Sequence, residues 1–232
     1  MLDLQHCRDM EVKVIMKIKL IACEVMKEEL LSITSLHDTD IHFIKMGFHL
    51  YPEKLHVELK DILSQCSGFD RVILAFGLCG GAARNLEAPG SVLTIPRVHD
   101  CIPILLGSSE IFRQQQEKGT FYLSCGWFKS DKNILSEHKK LVDKYGETRA
   151  QKVTGKIYDS YRRILFIHTG HPDEKCCYTK SQETAQLLGL NFQTTEGRRD
   201  YLEKIINGPW DETEFINAEP DGLILEEDFF HK

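Results

Sequence analysis

The chain has 232 residues, 42% of them hydrophobic, which is enough to bury a substantial core and too many for a disordered segment. Acids outnumber bases by 35 to 29, and the net charge of -6 argues against a dedicated nucleic-acid binder, which is usually basic. No apolar run approaches the roughly 18 residues of a membrane span; the first twenty residues, MLDLQHCRDMEVKVIMKIKL, carry acids where a signal peptide is purely basic, so the expected compartment is the cytoplasm.

Residues 1–15 read as an extension, because periodic patterning begins only near Met16. IMKIKLIAC then reads as a buried strand ending at Cys23, and EVMKEELLSITS as a helix. DIHFIKM is a second strand. PEKLHVELKDILSQC is an amphipathic helix with Pro52 in its first turn. RVILAFG and SVLTIP are the third and fourth strands. IPILLGSSEIFRQQQEKG reads as a helix broken near Gly107, and GTFYLS as a fifth strand. NILSEHKKLVDKYG is a helix closed by glycine. YRRILFIHTG holds a sixth strand, SQETAQLLGL a helix, NFQTTEG a short strand, RRDYLEKIING a helix ending at Gly208, and EFINAEPDG a last strand and turn. Strands alternating with helices predict an α/β fold with a mainly parallel sheet covered by helices on both faces. The pattern leaves room for two pseudo-equivalent halves that divide near residues 126–160. No linker rich in Gly, Pro or Ser separates them, so residues 16–232 read as one domain.

The chain has eight cysteines, and in a reducing compartment they are core thiols, metal ligands or nucleophiles rather than a disulfide framework. Several sit where strands end. Cys23 closes the first strand, Cys79 follows the third, Cys101 the fourth and Cys125 the fifth; His49, His99 and His168 follow the second, fourth and sixth. In a parallel sheet the carboxyl ends of the strands share one edge, where open α/β sheets bind ligands. Any one cysteine is more often a small packing hydrophobe than a ligand; four at strand ends shift that balance.

Two stretches concentrate the chemistry. FGLCGG puts Cys79 in a glycine-rich turn, where bare amides of Gly80 and Gly81, with Arg84 nearby, form a weak candidate anion cradle that matches neither the dinucleotide nor the P-loop signature. PRVHDC packs His99, Asp100 and Cys101 into one loop, suited to metal ligation or to acid–base and Cys–His chemistry with His99 and Asp100 as catalytic candidates. Asp100 also fits as a helix cap or as an orienter of an imidazole ligand. HPDEKCC places His171, Cys176 and Cys177 in a loop and makes a weaker metal or redox candidate. Cys66 reads as core, and Cys7 as incidental.

On FGLCGG, PRVHDCIPILLGS, GTFYLSCGW and GFHLYPEKL the chain resembles the uncharacterised family called domain of unknown function 1638, found in methanogens and anaerobic bacteria. The resemblance runs from about Lys17 to Pro220. The family's strand-ending cysteine corresponds to Cys23, and its Leu-His before Pro-Glu to His49, Pro52 and Glu53. Its Tyr-Gly-x-Cys-Gly turn corresponds to Cys79 and Gly80, and its His-Asp-Cys loop to His99–Cys101 with Gly107 beyond. Phe76 stands where tyrosine is common. Cys125 stands where many relatives carry proline or aspartate, which tells against an essential role. Members often lie beside corrinoid methyltransferase genes, which implies by association a place in one-carbon, methyl or thiol metabolism.

The leading expectation is a zinc site at the sheet edge held by Cys79 and Cys101, completed by Cys23, His49 or His99. Such a site suits a metal-dependent transferase or lyase acting on a small-molecule substrate. One alternative is a 4Fe-4S cluster on Cys23, Cys79 and Cys101 with one iron open. Another is a non-catalytic accessory or cofactor carrier for a corrinoid protein. Neither nucleic acid nor membrane is an expected partner, and self-association into a homo-oligomer is left open.

Overall fold

The computed structural model describes residues 15–129 and 133–230; the expected extension therefore lies, but for Ile15, outside the described residues. Among the described residues eight strands are interspersed with helices. They are β1 (Lys17–Cys23), α1 (Lys27–Leu31), β2 (Asp38–Ile44), α2 (Pro52–Leu63), β3 (Arg71–Ala75), β4 (Val92–Pro96), α3 (Cys101–Leu106) and α4 (Ser109–Gln115). There follow β5 (Thr120–Leu123), α5 (Cys125–Phe128), α6 (Ile134–Tyr145), α7 (Glu147–Ile157), β6 (Arg163–His168), α8 (Glu174–Leu188), β7 (Asn191–Glu196), α9 (Arg199–Asn207) and β8 (Phe215–Ala218).

The strands divide between two sheets. The larger has the order β2-β1-β3-β4-β8, parallel throughout except for β8, which runs antiparallel along β4. The smaller is parallel, in the order β5-β6-β7. The central strands carry continuous apolar runs, as parallel strands covered on both faces require: in β1 and β3, Leu20, Ile21, Val72, Ile73 and Leu74 are fully buried. The expected α/β class with mainly parallel pairing and flanking helices is what the chain adopts. In the larger sheet β1 has β2 on one side and β3 on the other, so the chain reverses its direction of winding between them. Ligands of open α/β sheets bind at such a switch point, beyond the carboxyl ends of the strands.

The sheets meet through the turns at those ends. A 3-10 turn, Glu24–Met26, follows β1, and α5 follows β5. Gly126 lies flush on the first: a Cβ there would sit 1.8 Å from the Val25 carbonyl oxygen. Thr169, after β6, donates its hydroxyl to Glu29 of α1 at 2.7 Å. These contacts bring the carboxyl ends of β1 and β5 to one place.

Several local expectations change. The helix expected over EVMKEELLSITS is a 3-10 turn followed by five residues of α1. Cys176 and Cys177 are in the first turns of α8, not in a loop. The break expected near Gly107 separates α3 from α4: Gly107 is left-handed (φ 102°), and the Ser108 side chain caps α4 by accepting from Ile111 N. Among the described residues no helix is long and apolar enough to cross a membrane.

A thiol-lined cavity at the sheet edge

Three strands deliver three thiols to one cavity. Cys23 is the last residue of β1 and is 8% exposed. Cys79 arrives through the turn after β3, which is laced to the loop after β4. Leu78 N donates to Val98 O at 3.0 Å and Cys79 N to His99 O at 2.8 Å. Gly77 permits that approach, since a Cβ there would lie 2.5 Å from Asp100 N and 2.6 Å from Val98 O. Cys79 itself has φ 48°, a left-handed conformation that few residues other than glycine adopt and that costs of order 1–2 kcal/mol. Held strain of this kind clusters at functional sites. Cys101 opens α3, whose cap is the Asp100 carboxylate accepting from Ile102 N at 2.8 Å.

The cavity measures about 280 Å³, and Cys23, His49, Cys79, Asp100, Cys101 and Trp127 all line it among apolar neighbours. The thiols hold their protons. Burial pushes Cys23 up to about 11 and Cys79 up to about 12. Cys101 is raised well above the ordinary thiol value by burial first, then by the charges Cys23, Asp100 and Cys79 would carry. Each thiolate would therefore oppose the next. Cys79 and Cys101 are part-exposed as residues, yet burial leads the shift in both. Burial also raises the Asp100 carboxyl, against the Ile102 N–H and the His99 and His49 imidazoles, which lower it.

His49 sits in the 3-10 turn Met46–Leu50 after β2. Its Nδ1 lies 2.6 Å from Met46 O. A carbonyl oxygen only accepts, so Nδ1 carries a proton and Nε2 is the ring nitrogen left to face a ligand. Glu24 ties this turn to the end of β1 by accepting from Met46 N at 2.7 Å.

The remaining expected residues are placed as follows. Gly80 borders both this cavity and an open groove outside it, whereas Gly81 and Arg84 line only the groove. Arg84 is ion-paired with Glu226 at 3.1 Å. His99 is exposed, does not line the cavity, and packs its ring against Phe230 at 5.5 Å between centroids. The loop that points Asp100 and Cys101 inward turns His99 out. Cys66 is a buried core thiol donating to Ile62 O. Cys125 belongs to a second grouping: the Cys177 thiol donates to the Cys125 carbonyl oxygen at 4.0 Å within the smaller sheet's core. Among the described residues no three His, Cys, Asp or Glu side chains are grouped, as they stand, to hold a metal ion.

Trp127 is the site residue that sequence reasoning passed over. It lines the cavity, its indole N–H is buried with no partner among the described residues, and it meets His49. The signal was Gly126-Trp127 directly after a strand-ending cysteine, a small residue allowing close approach followed by a large aromatic. Glu24 was missed as well, and nothing in the sequence distinguishes it from an exposed helix-start acid.

A family model described as protein of unknown function (DUF1638) matches residues 43–206. The matched span includes Cys79 and Cys101 and leaves β1, with Cys23, outside it. No curated protein matches the chain, and no solved structure does.

Proposed function

The chain belongs to the DUF1638 family, and from that premise we propose that it holds a thiolate-ligated metal centre on Cys23, Cys79 and Cys101 and acts there on a small molecule. The observation that supports this is the shared cavity: three thiols from three strand ends, with His49 and Asp100 on the same wall, at the switch point of the sheet. Three soft donors and an imidazole are a donor set for zinc or for iron–sulfur, not for the hard oxygen-seeking cations.

Two occupants compete, each with its own support. Zinc is favoured by His49, whose free Nε2 completes a set of three thiolates and one imidazole. A four-iron cluster is favoured by the spread of the thiols, which border a cavity of about 280 Å³ without being gathered round one point. The cluster would supply a Lewis-acidic open iron, and zinc would supply an open position only with His49 off the metal; either would polarise or hold a substrate oxygen or sulfur. Because the ligand-free thiols are protonated, loading requires all three to lose protons.

The chain's own residues supply the rest. The apolar lining excludes water and strengthens charge interactions within the cavity. The Asp100 carboxyl, with its proton affinity raised by burial, is placed to hold or donate a proton. If not taken up as a ligand, His49 Nε2 accepts one. Substrates in one-carbon, methyl or thiol metabolism suit a soft centre of this type. The size of the cavity favours a small molecule over the macrocycle of a corrinoid carrier.

Elemental analysis of protein purified without oxygen tests the reading. The expected result is about one zinc or about four irons per chain. Less than about a tenth of an equivalent of either, from cells grown with both metals, would overturn the metal centre.

A further inference from the structure

A second cavity, of about 520 Å³, adjoins the thiol cavity and shares Met46, His49 and Trp127 with it. Gly47 and Leu50 of the turn after β2 line it too, and its remaining walls come from the smaller sheet and the helices beside it. Phe121 of β5 meets Tyr158 edge-on at 5.7 Å and 86°, and Tyr161 at 4.9 Å and 86°. Phe128, at the end of α5, also lines the space. Among the described residues that line it there is no Asp, Glu, Lys or Arg. An anion would have to shed its water with no cationic side chain among those residues to meet it, and a cation would meet ring faces but no carboxylate among them, whereas an uncharged ring would add further edge-to-face contacts to those already present.

We propose that this aromatic chamber receives an uncharged aromatic ring of the substrate, whose reacting end passes His49 and Trp127 into the thiol cavity. The substrate class is thus a neutral arene bearing a short functional arm. The choice rests on the shared wall: a molecule that fills the chamber lies against Met46, His49 and Trp127, which line the thiol cavity as well. The position of the reacting end rests on the functional reading above; the seat of the ring does not.

The test uses the full chain, reduced and stripped of metal, with three probes that share a phenyl ring and differ in charge: benzyl alcohol, benzyltrimethylammonium and benzoate. The chain has two tryptophans, so Trp210→Phe leaves Trp127 as the sole indole reporter, and calorimetry gives the affinity. Benzyl alcohol is expected to perturb Trp127 fluorescence and to bind at least about tenfold more tightly than either ion. Tyr158→Ala is expected to weaken it by about tenfold and Tyr158→Phe to leave it unchanged; should the alanine variant fail to fold, Phe128→Leu serves in its place. Equal or tighter binding of either ion, or affinity for benzyl alcohol indifferent to Tyr158→Ala and Phe128→Leu, would overturn the proposal. Because the protein carries no metal in this experiment, ring binding together with a negative elemental analysis would sink the metal centre and leave the chamber standing, and the converse result would do the opposite.

Discussion

The imidazole of His49 meets the indole of Trp127 edge to face, with ring centroids 5.0 Å apart and planes inclined at 72°. These two side chains come from different sheets: one follows β2 and the other lies in α5, after β5. They form the wall common to the thiol cavity and the aromatic chamber. The contact therefore couples ligand placement to the docking of the smaller sheet on the larger.

Trp127→Leu removes the indole face while keeping an apolar side chain. It is expected to cost about 1–3 kcal/mol of stability, as loss of aromatic volume and of an aromatic pair does. Urea denaturation measures this through the midpoint at unchanged slope. A midpoint equal to that of the parent would show that the wall contributes nothing to docking the sheets.

Metal loading is expected to release protons. Cys23, Cys79 and Cys101 are all protonated at neutral pH, so about three protons should leave per centre formed at pH 7. Calorimetry in buffers of different ionisation enthalpy counts them. A release below about one proton would mean that the thiols are not the ligands.

Alkaline pH should destabilise the ligand-free protein. The folded-state thiols of Cys23, at about 11, and Cys79, at about 12, lie above the ordinary value of 9.0. The folded chain thus binds more protons than the unfolded chain between those values. The stabilisation is complete below about pH 9 and is lost as pH rises through the folded values, with Cys23 alone accounting for about 2–3 kcal/mol. Denaturant midpoints measured from pH 8 upward should fall. A flat profile through about pH 10.5 would contradict the burial of these thiols.

Gly77→Ala tests the lacing of the two loops. Its Cβ would enter the backbone of Val98–Asp100, so a loss of about 3 kcal/mol or more is expected, with loss of metal. Gly155→Ala, in α7, is the control: nothing lies within 4 Å of its Cβ, and a gain of about 0.5–1 kcal/mol is expected there. Similar thermal midpoints for the two variants would show that the loops need no such approach.

Much of the larger sheet was legible because β1, β3 and β4 are dense apolar runs bounded by turns, and a thiol at or after the end of each of these three marks the shared edge without knowledge of strand order. The sharing of strands between two sheets was not legible, since β5 and β6 read locally like β3 and β4 and only pairing separates them. Helix α7 escaped notice because it buries only Ala150 and Thr154 and carries Gly155 in its interior, leaving little periodicity to read. His99 was counted with Asp100 and Cys101 because adjacency in sequence looks like adjacency at a site; the extended backbone of Asp100 (φ -160°, ψ -167°) and its cap on α3 set which neighbours face inward. The Cys125–Cys177 pairing joins residues on separate elements, and no spacing rule announces it.

The central claim is that Cys79 is a ligand, and metal per chain in Cys79→Ser beside Cys66→Ser tests it most directly. Both substitutions exchange a thiol for a hydroxyl; Cys66 lies in the core at the end of α2, and Cys79 faces the cavity. Serine stays protonated at neutral pH and supplies no soft anionic donor. The account expects Cys66→Ser to keep the parent's metal content at some cost in stability, and Cys79→Ser to lose most of it. Equal metal in the two variants would contradict the ligand role and leave the turn after β3 as packing alone.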